Sequence, residues 1–197
     1  MPKIVDHDRY RKELLRKSFD LFAQKGYAAI TMRQIAQGLG VSTGTLYHYF
    51  PSKEALFEQL IEELTELDLL QVTSHIEQAT TLKERLLSAF ELLEQNREYF
   101  LKQTLLMADF YQHQQRQGEE IGDVFKQICD RIQSISSDLA GFDDPELLTF
   151  MFSYIDGLIL QEIYGKNRIN YQAQAELLSE MLMLYLEKHN HESHNSN

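Results

Sequence analysis

Prolines are scarce in this chain, and that scarcity constrains its architecture more than any other feature. Only Pro2, Pro51 and Pro145 occur in 197 residues, with nine glycines. Proline removes a backbone donor and breaks a helix, and glycine loosens one. Long stretches free of both favour long helices over a sheet-rich fold. Apolar residues recur at helical spacing along most of the sequence. The chain therefore reads as all-α with about nine helices. They are expected from about Asp8 to Lys25, over Thr31–Leu39, over Thr43 to about Tyr49, and at about 52–72, 81–96, 97–114, 119–139, 144–165 and 171–188.

Local signals punctuate the first part. Leu15, Phe19 and Phe22 fall at i, i+4 and i+7, with Leu14 and Ala23 beside them, forming one apolar stripe. Gly26 follows Lys25 as a left-handed stop, and Tyr27 and Ile30 are expected to fold back on the stripe. Thr31-Met-Arg-Gln34 has the pattern of a capping box. Ile35, Ala36 and Leu39 form the buried side of the second helix, and Gly40 ends it. Ser42 caps the third helix, and Pro51 disfavours helical geometry at Phe50. Ser52 caps the fourth, with Glu54 in its first turn complementing the helix dipole.

Charge divides the chain. Residues 1–57 carry nine Lys/Arg against five Asp/Glu, net +4, while residues 58–197 carry ten against twenty-five, net −15. A basic head on an acidic body suggests that the head alone meets a polyanion, although a solvated surface of mixed charge gives the same asymmetry.

Two helices joined by a glycine-containing turn make a helix-turn-helix, and here the turn is Leu39-Gly40-Val41-Ser42. Gly40 relaxes the bend, and Val41 fills the space between the helices. The short helix that follows displays Ser42, Thr43, Gly44, Thr45, Tyr47 and His48, and turns Leu46 and Phe50 inward. A helix that enters a major groove must approach base edges and phosphates closely, and small polar residues allow it. Backbone N–H groups at its start suit a phosphate. Tyr47 and Tyr49 have phenolic hydroxyls to donate to phosphate oxygens, or else pack their rings. Lys53 adds a charge at the start of the next helix. Thr31 and Arg33 reach the DNA backbone from the other side, with a solvated surface charge as the plainer reading of Arg33.

This stretch resembles the TetR family of bacterial transcriptional regulators. The residues that carry the resemblance are Leu21-Phe-Ala-Gln-Lys-Gly-Tyr27, Thr31-Met-Arg-Gln-Ile-Ala36 and Gly40-Val-Ser-Thr-Gly-Thr-Leu-Tyr-His-Tyr-Phe-Pro-Ser-Lys-Glu-Ala-Leu56. Several separated blocks fall in order at the right spacing over about residues 10–60. The resemblance implies DNA contacts by Thr31, Arg33, Ser42, Thr43, Gly44, Tyr47, His48, Tyr49 and Lys53. Thr43 and His48 are the candidates for base readout, and Tyr47, Tyr49 and Lys53 for phosphate positioning. Two departures stand out. Gly38 and Leu39 replace a polar and a small residue, so the second helix is expected to be short or slightly bent. Tyr49 stands where many relatives have His.

The organisation expected is a DNA-binding domain over 1–51, an effector-binding and dimerisation domain over 52–188, and a polar tail over 189–197. Residues 147–163 and 177–186 are apolar on nearly every face, which calls for cover on several sides. Internal core would supply it, and so would a homodimer through the last two helices, which is the usual arrangement in TetR relatives. Two copies then read an inverted repeat in double-stranded operator DNA. In the middle helices, Phe90, Tyr99, Phe100, Met107, Phe110, Tyr111, Phe125 and Phe152 either fill an ordinary core or line a pocket for a small apolar or aromatic effector. Gln103, Asp109 and His113 would be its polar anchors.

Other classes find little support. No apolar run reaches the roughly 18 residues of a transmembrane helix, and the N-terminus lacks the apolar middle of a signal peptide. Cys129 is a single cysteine, consistent with a cytoplasmic protein. The three histidines at 189, 191 and 194 are read as a solvated tail and not a metal site. No cofactor is implied. Asp109 and His113 lie four apart on one helix face, but no Glu-x-x-His repeat, Gly-rich phosphate loop, GxSxG elbow or cysteine-based zinc spacing accompanies them, so no enzyme is expected. The expected function is a DNA-binding regulator, a repressor released by an effector. The alternative is an architectural or protein-recruiting factor of the same fold without one.

Overall fold

The computed structural model describes residues 6–120, 122–164 and 169–194. Among them the chain forms nine α-helices and no strand. They are α1 (His7–Lys25), α2 (Met32–Leu39), α3 (Thr43–Tyr49), α4 (Lys53–Ile76), α5 (Leu82–Gln95), α6 (Arg97–Gln117), α7 (Asp123–Ala140), α8 (Pro145–Tyr164) and α9 (Tyr171–His194).

The helix boundaries follow from side chains that satisfy orphan N–H groups. Asp6 caps α1 by accepting from Arg9 N. Thr31 and Gln34 complete the capping box of α2, and Thr81 and Glu84 form a second one at α5. Ser52 Oγ accepts from Ala55 N at 3.0 Å. Pro145 takes the first position of α8, where its missing donor costs nothing, and Asp144 Oδ1 accepts from Glu146 N and Leu147 N at 3.0 Å each. α9 runs through residue 189 and on to His194, beyond the expected end at 188. No proline or glycine stops it, and the His189 ring stacks on Tyr185 one turn earlier. Residues 195–197 of the expected tail lie outside the described residues.

The described residues form two compact units, one within 1–69 and 102–133, the other within 70–101 and 134–197. The unit that holds the helix-turn-helix thus extends well past residue 51, because α4 and α6 supply its core.

In the first unit, α1 packs on α2 and α2 on α3. Leu14, Leu15, Phe19 and Phe22 are buried as the stripe requires, with Tyr27, Ile30, Ile35, Leu46, Phe50, Phe57 and Phe110. An aromatic stack forms the centre. Tyr27 lies 4.8 Å from both Phe57 and Phe110, and Phe110 lies 5.1 Å from Phe125. Each such ring gains about 1.5–3 kcal/mol by leaving water, and ring pairs add roughly 0.5–1.5 kcal/mol.

Gly38 has a packing reason. The methyl groups of Leu21 sit 2.6 and 2.8 Å from where its Cβ would be, so α1 and α2 approach closely there. α2 continues helically through Gly38 to Leu39.

In the second unit, α5 packs along α9. Leu86, Phe90, Leu147, Leu158, Tyr171, Ala175, Leu178 and Leu182 form its core. α8 and α9 also leave Leu160, Ile163, Leu177, Met181, Leu184 and Tyr185 exposed.

Candidate DNA interface

The interface is built on a helix of only seven residues, so its placement depends on what lies beneath it. Leu46 and Phe50 are fully buried and anchor α3 to the core. Gly40 supplies the turn, with φ 70 and ψ 26 in the left-handed region, and its N–H returns to Ala36 O and Gln37 O. Val41 is half-buried between the helices. Ser42 caps α3 by accepting from Thr45 N at 2.9 Å, and its hydroxyl also shares a 2.8 Å hydrogen bond with that of Thr45.

The outer side holds the small polar residues expected of it. Ser42, Thr43, Gly44 and His48 are exposed, and Tyr47 is 50% exposed. Gly44 is informative because the fold does not need it. Its φ is not positive, and a Cβ would meet only Ser42 Oγ at 3.7 Å, an ordinary contact. A helical glycine costs about 1 kcal/mol relative to alanine. No internal contact offsets that cost, and the missing side chain keeps the outer surface low at the centre of α3. At α2, Arg33 is exposed, while the Thr31 hydroxyl is engaged with Gln34.

Two expected phosphate donors are already engaged within the head. Lys53 Nζ donates to Tyr27 O at 2.7 Å and sits 4.3 Å above the Tyr27 ring. Burial lowers its pKa, partly offset by the charge of Asp109. Tyr49 is half-buried, with its hydroxyl 2.9 Å from His7 Nδ1 and its ring edge-on to Tyr10 at 5.6 Å. The turn that Lys53 holds is gripped from α6 as well. Asp109 Oδ2 accepts from Ala28 N at 3.3 Å and lies 2.9 Å from where a Cβ on Gly26 would be. Gly26 accordingly has positive φ, 77, but an extended ψ of 150, not the left-handed helical stop expected from its position after Lys25. Burial, with Glu54, Glu119 and Glu58 nearby, pushes the Tyr27 phenol up to about 12.

Several of the head's cations are engaged internally. Glu63 on α4, 5% exposed, binds Lys12 at 3.0 Å and Arg16 at 2.6 Å. Glu66 holds Arg131, with Lys12 also within 3.5 Å. Arg11 Nε donates to Gln59, and Lys17 pairs with Glu13. Charge counting along the sequence could not detect these partners, which lie mostly on α4. What α3 presents outward is chiefly neutral donors and acceptors.

The expected effector-lining residues are divided between the two units. Phe90 is fully buried in the second unit, against Tyr171. Phe110 and Phe125 belong to the aromatic stack of the first. Tyr99 and Phe100 contact each other, Gln103 donates to Asp68, and His113 lies against the Tyr27 ring. Met107 and Phe152 are half-buried, and Tyr111 is 49% exposed. Two clefts occur elsewhere. One of about 260 Å³ lies between the end of α1 and α6, lined by Phe22, Lys25, Gly26, Lys102, Leu106, Asp109 and neighbours. The other, about 390 Å³, is lined by residues of α4, Arg85, Asp138 and Leu139. Of the expected polar anchors, only Asp109 lines either. Among the described residues, no helix is long and apolar enough to cross a membrane.

Residues 14–60 match the signature described as bacterial regulatory proteins, tetR family. This stretch is similar to the DNA-binding region of TetR-family regulators. Curated relatives match over part of the chain. The transcriptional repressor KstR2 of Mycolicibacterium smegmatis is 33% identical over 88 residues, 43% of this chain and 43% of that protein. The nucleoid occlusion factor SlmA of Haemophilus ducreyi is 39% identical over 64 residues, 32% of each. The matched stretch thus spans less than half the length of these relatives. Beyond the TetR-type head the likeness is one of fold. The regulator FadR of Bacillus subtilis, solved with stearoyl-CoA, superposes with a TM-score of 0.64 at 18% identity, over 88% of this chain and 97% of that one.

Proposed function

We propose that this chain is a sequence-specific, DNA-binding transcriptional regulator acting in the cytoplasm as a repressor. The observation that carries the reading is the outer side of α3. A low polar surface, centred on a glycine that no internal contact requires, lies over fully buried Leu46 and Phe50. Thr43 and His48 read base edges, while Tyr47, Arg33, Ser42 and Thr31 position phosphates. Lys53 and Tyr49 join the interface with part of their bonding capacity already in use.

One such helix makes few contacts, so the functional unit is a homodimer on an inverted repeat. The apolar residues that α8 and α9 leave exposed form its subunit face. An exposed patch of that kind on a soluble chain is unfavourable unless something covers it. A small apolar effector releases the repressor by favouring the conformation with lower DNA affinity, and DNA must then weaken effector binding by the same factor. The stearoyl-CoA held by Bacillus subtilis FadR supports an effector for this fold.

A second reading keeps the DNA head and replaces the effector with a protein partner. The division of the expected lining residues between two packing units favours it.

Selection of duplexes from a random-sequence library by the full chain tests the first claim. An inverted repeat should be enriched, and Thr43→Ala should relax preference at one or two positions of each half-site. Failure to retain any duplex at low salt would rule out both readings. Titrating the selected duplex complex with acyl-CoA thioesters and aromatic carboxylates separates the two, because only the first predicts release.

A further inference from the structure

We propose that His7, the first residue of α1, is a phosphate-contacting member of the DNA face. In this role it is paired with Tyr49 so that protonation of its imidazole adds a second outward donor. The inference rests on the DNA-binding reading and extends its interface to a residue 42 positions away from the end of the recognition helix.

The geometry is a single shared hydrogen bond. Tyr49 closes α3, half-buried, with its ring fixed by Tyr10 and His48 at centroid distances of 5.6 and 5.1 Å. Its hydroxyl lies 2.9 Å from His7 Nδ1. His7 itself is exposed. A neutral imidazole has one N–H and one acceptor nitrogen. Either Tyr49 donates to Nδ1 and the His7 Nε2–H faces outward, or Nδ1–H donates to the phenol oxygen and the Tyr49 hydroxyl proton faces outward. The neutral pair thus has one proton to offer a phosphate.

A protonated imidazole changes the count. Both nitrogens are donors, Nδ1–H is taken by the phenol oxygen, and Nε2–H and the Tyr49 hydroxyl proton are then both free. The pair becomes a cationic, two-donor clamp. Charge-assisted bonds to phosphate are roughly twice as strong as neutral ones, so bound DNA favours the protonated form. Affinity must then rise with acidity.

His7 and His48 are the two imidazoles at this edge, and His7 shares the Tyr49 hydroxyl. From α3 it faces Tyr49, with His48 behind. On its own helix its neighbours are Asp6, which accepts from Arg9 N, and Asp8, Tyr10 and Arg11, whose Nε is held by Gln59 of α4. Farther along α1, Lys12 and Arg16 are bound to Glu63 of α4.

The test measures fluorescence anisotropy of the full chain with a duplex of about 30 base pairs enriched from a random library, at pH 6 and pH 8, over a range of salt. Wild type should bind about three- to tenfold tighter at pH 6. His7→Ala should abolish that difference and lower the salt slope at pH 6 by about 0.9, the value for one phosphate neutralised. His7→Gln, which keeps a neutral donor, should restore the pH 8 affinity but not the pH dependence. His48→Ala should leave the pH dependence in place. If His7 only props Tyr49, His7→Ala and Tyr49→Phe will weaken binding alike at both pH values with the slope unchanged, and the inference is overturned. It is also overturned if the pH dependence follows His48. A chain that binds its duplex tightly yet ignores His7 sinks this inference alone. A chain that enriches no duplex and retains no mixed-sequence duplex at low salt sinks the DNA reading with it.

Discussion

α3 and α9 each bury one apolar stripe, and they differ in what they leave outside. Beneath α3 lie Leu46 and Phe50, fully buried, and above it Thr43, Gly44, Tyr47 and His48. Beneath α9 lie Tyr171, Ala175, Leu178 and Leu182, yet its other side holds Leu177, Met181, Leu184 and Tyr185, with Leu184 68% exposed. Both helices obtain a core from one stripe. The remainder of each surface answers to something other than the fold of this chain. A low, hydrogen-bonding surface suits a partner that arrives with its own polar atoms. A surface of leucine and methionine suits a partner that brings the same.

The contrast breaks most visibly at α9. Met181→Glu combined with Leu184→Glu places two charges on the exposed stripe without touching the core. By sedimentation the chain should change from dimer to monomer, and affinity for its duplex should fall by about 10²–10⁴-fold as the linked second half-site is lost. A variant that remains dimeric with full affinity would show that this stripe is not the subunit face.

The inner and outer sides of α3 should separate equally clearly. Leu46→Ala removes a fully buried side chain and should cost about 3 kcal/mol in chemical denaturation. Thr43→Ala should change stability by less than about 0.5 kcal/mol, while costing roughly 1–3 kcal/mol of discrimination at one or two base positions. Equal losses of stability from the two would mean that the outer side is also structural.

A smaller effect of opposite sign is expected at the glycines. Gly44→Ala should stabilise the protein by up to about 1 kcal/mol, since the new methyl group meets only ordinary contact. The same change should weaken duplex binding more than tenfold by raising the surface. Gly38→Ala should gain nothing, because Leu21 already occupies the space. A Gly44→Ala variant with undiminished affinity would remove the best reason for reading α3 as a groove-entering helix.

These sites differ in how far the sequence disclosed them. The α2 capping box, the left-handed turn at Gly40 and the inward pair Leu46 and Phe50 are local, fixed by residues within four positions of one another, and each is legible from spacing. The bond between His7 and Tyr49 spans 42 residues, and that from Lys53 to Tyr27 O spans 26. Nothing in the local pattern marks either. The same limit applies to the aromatic residues. Periodicity identifies Phe90 and Phe110 as buried, but not that they belong to different packing units. The head's charge is legible as a total, and the pairing of Lys12 and Arg16 with Glu63 is not.

The distinction between a group matched by its surroundings and one opposed by them can be sharpened within α4, by two carboxylates with opposite pKa shifts. Hydrogen bonding to Arg131, aided by Lys12, holds Glu66 below the ordinary carboxylate range. Burial, reinforced by Glu54, pushes Glu58 above it. A depressed folded-state pKa contributes stability that is complete above the ordinary value and is lost as pH falls through the depressed one. A raised pKa has the reverse effect. Glu58 costs stability at neutral pH, and the cost is relieved as pH falls through the raised value toward the ordinary one. Denaturation from about pH 7 down to about pH 3 should therefore show Glu58→Gln more stable than wild type at neutral pH and equal to it below the ordinary range. Glu66→Gln should be less stable at neutral pH and approach wild type only in stronger acid. Glu66 is partly exposed, so its effect should stay below about 1 kcal/mol. Were Glu66→Gln to stabilise the chain at neutral pH, the ion pair with Arg131 would not govern Glu66 in solution, and were Glu58→Gln to destabilise it, burial would not govern Glu58.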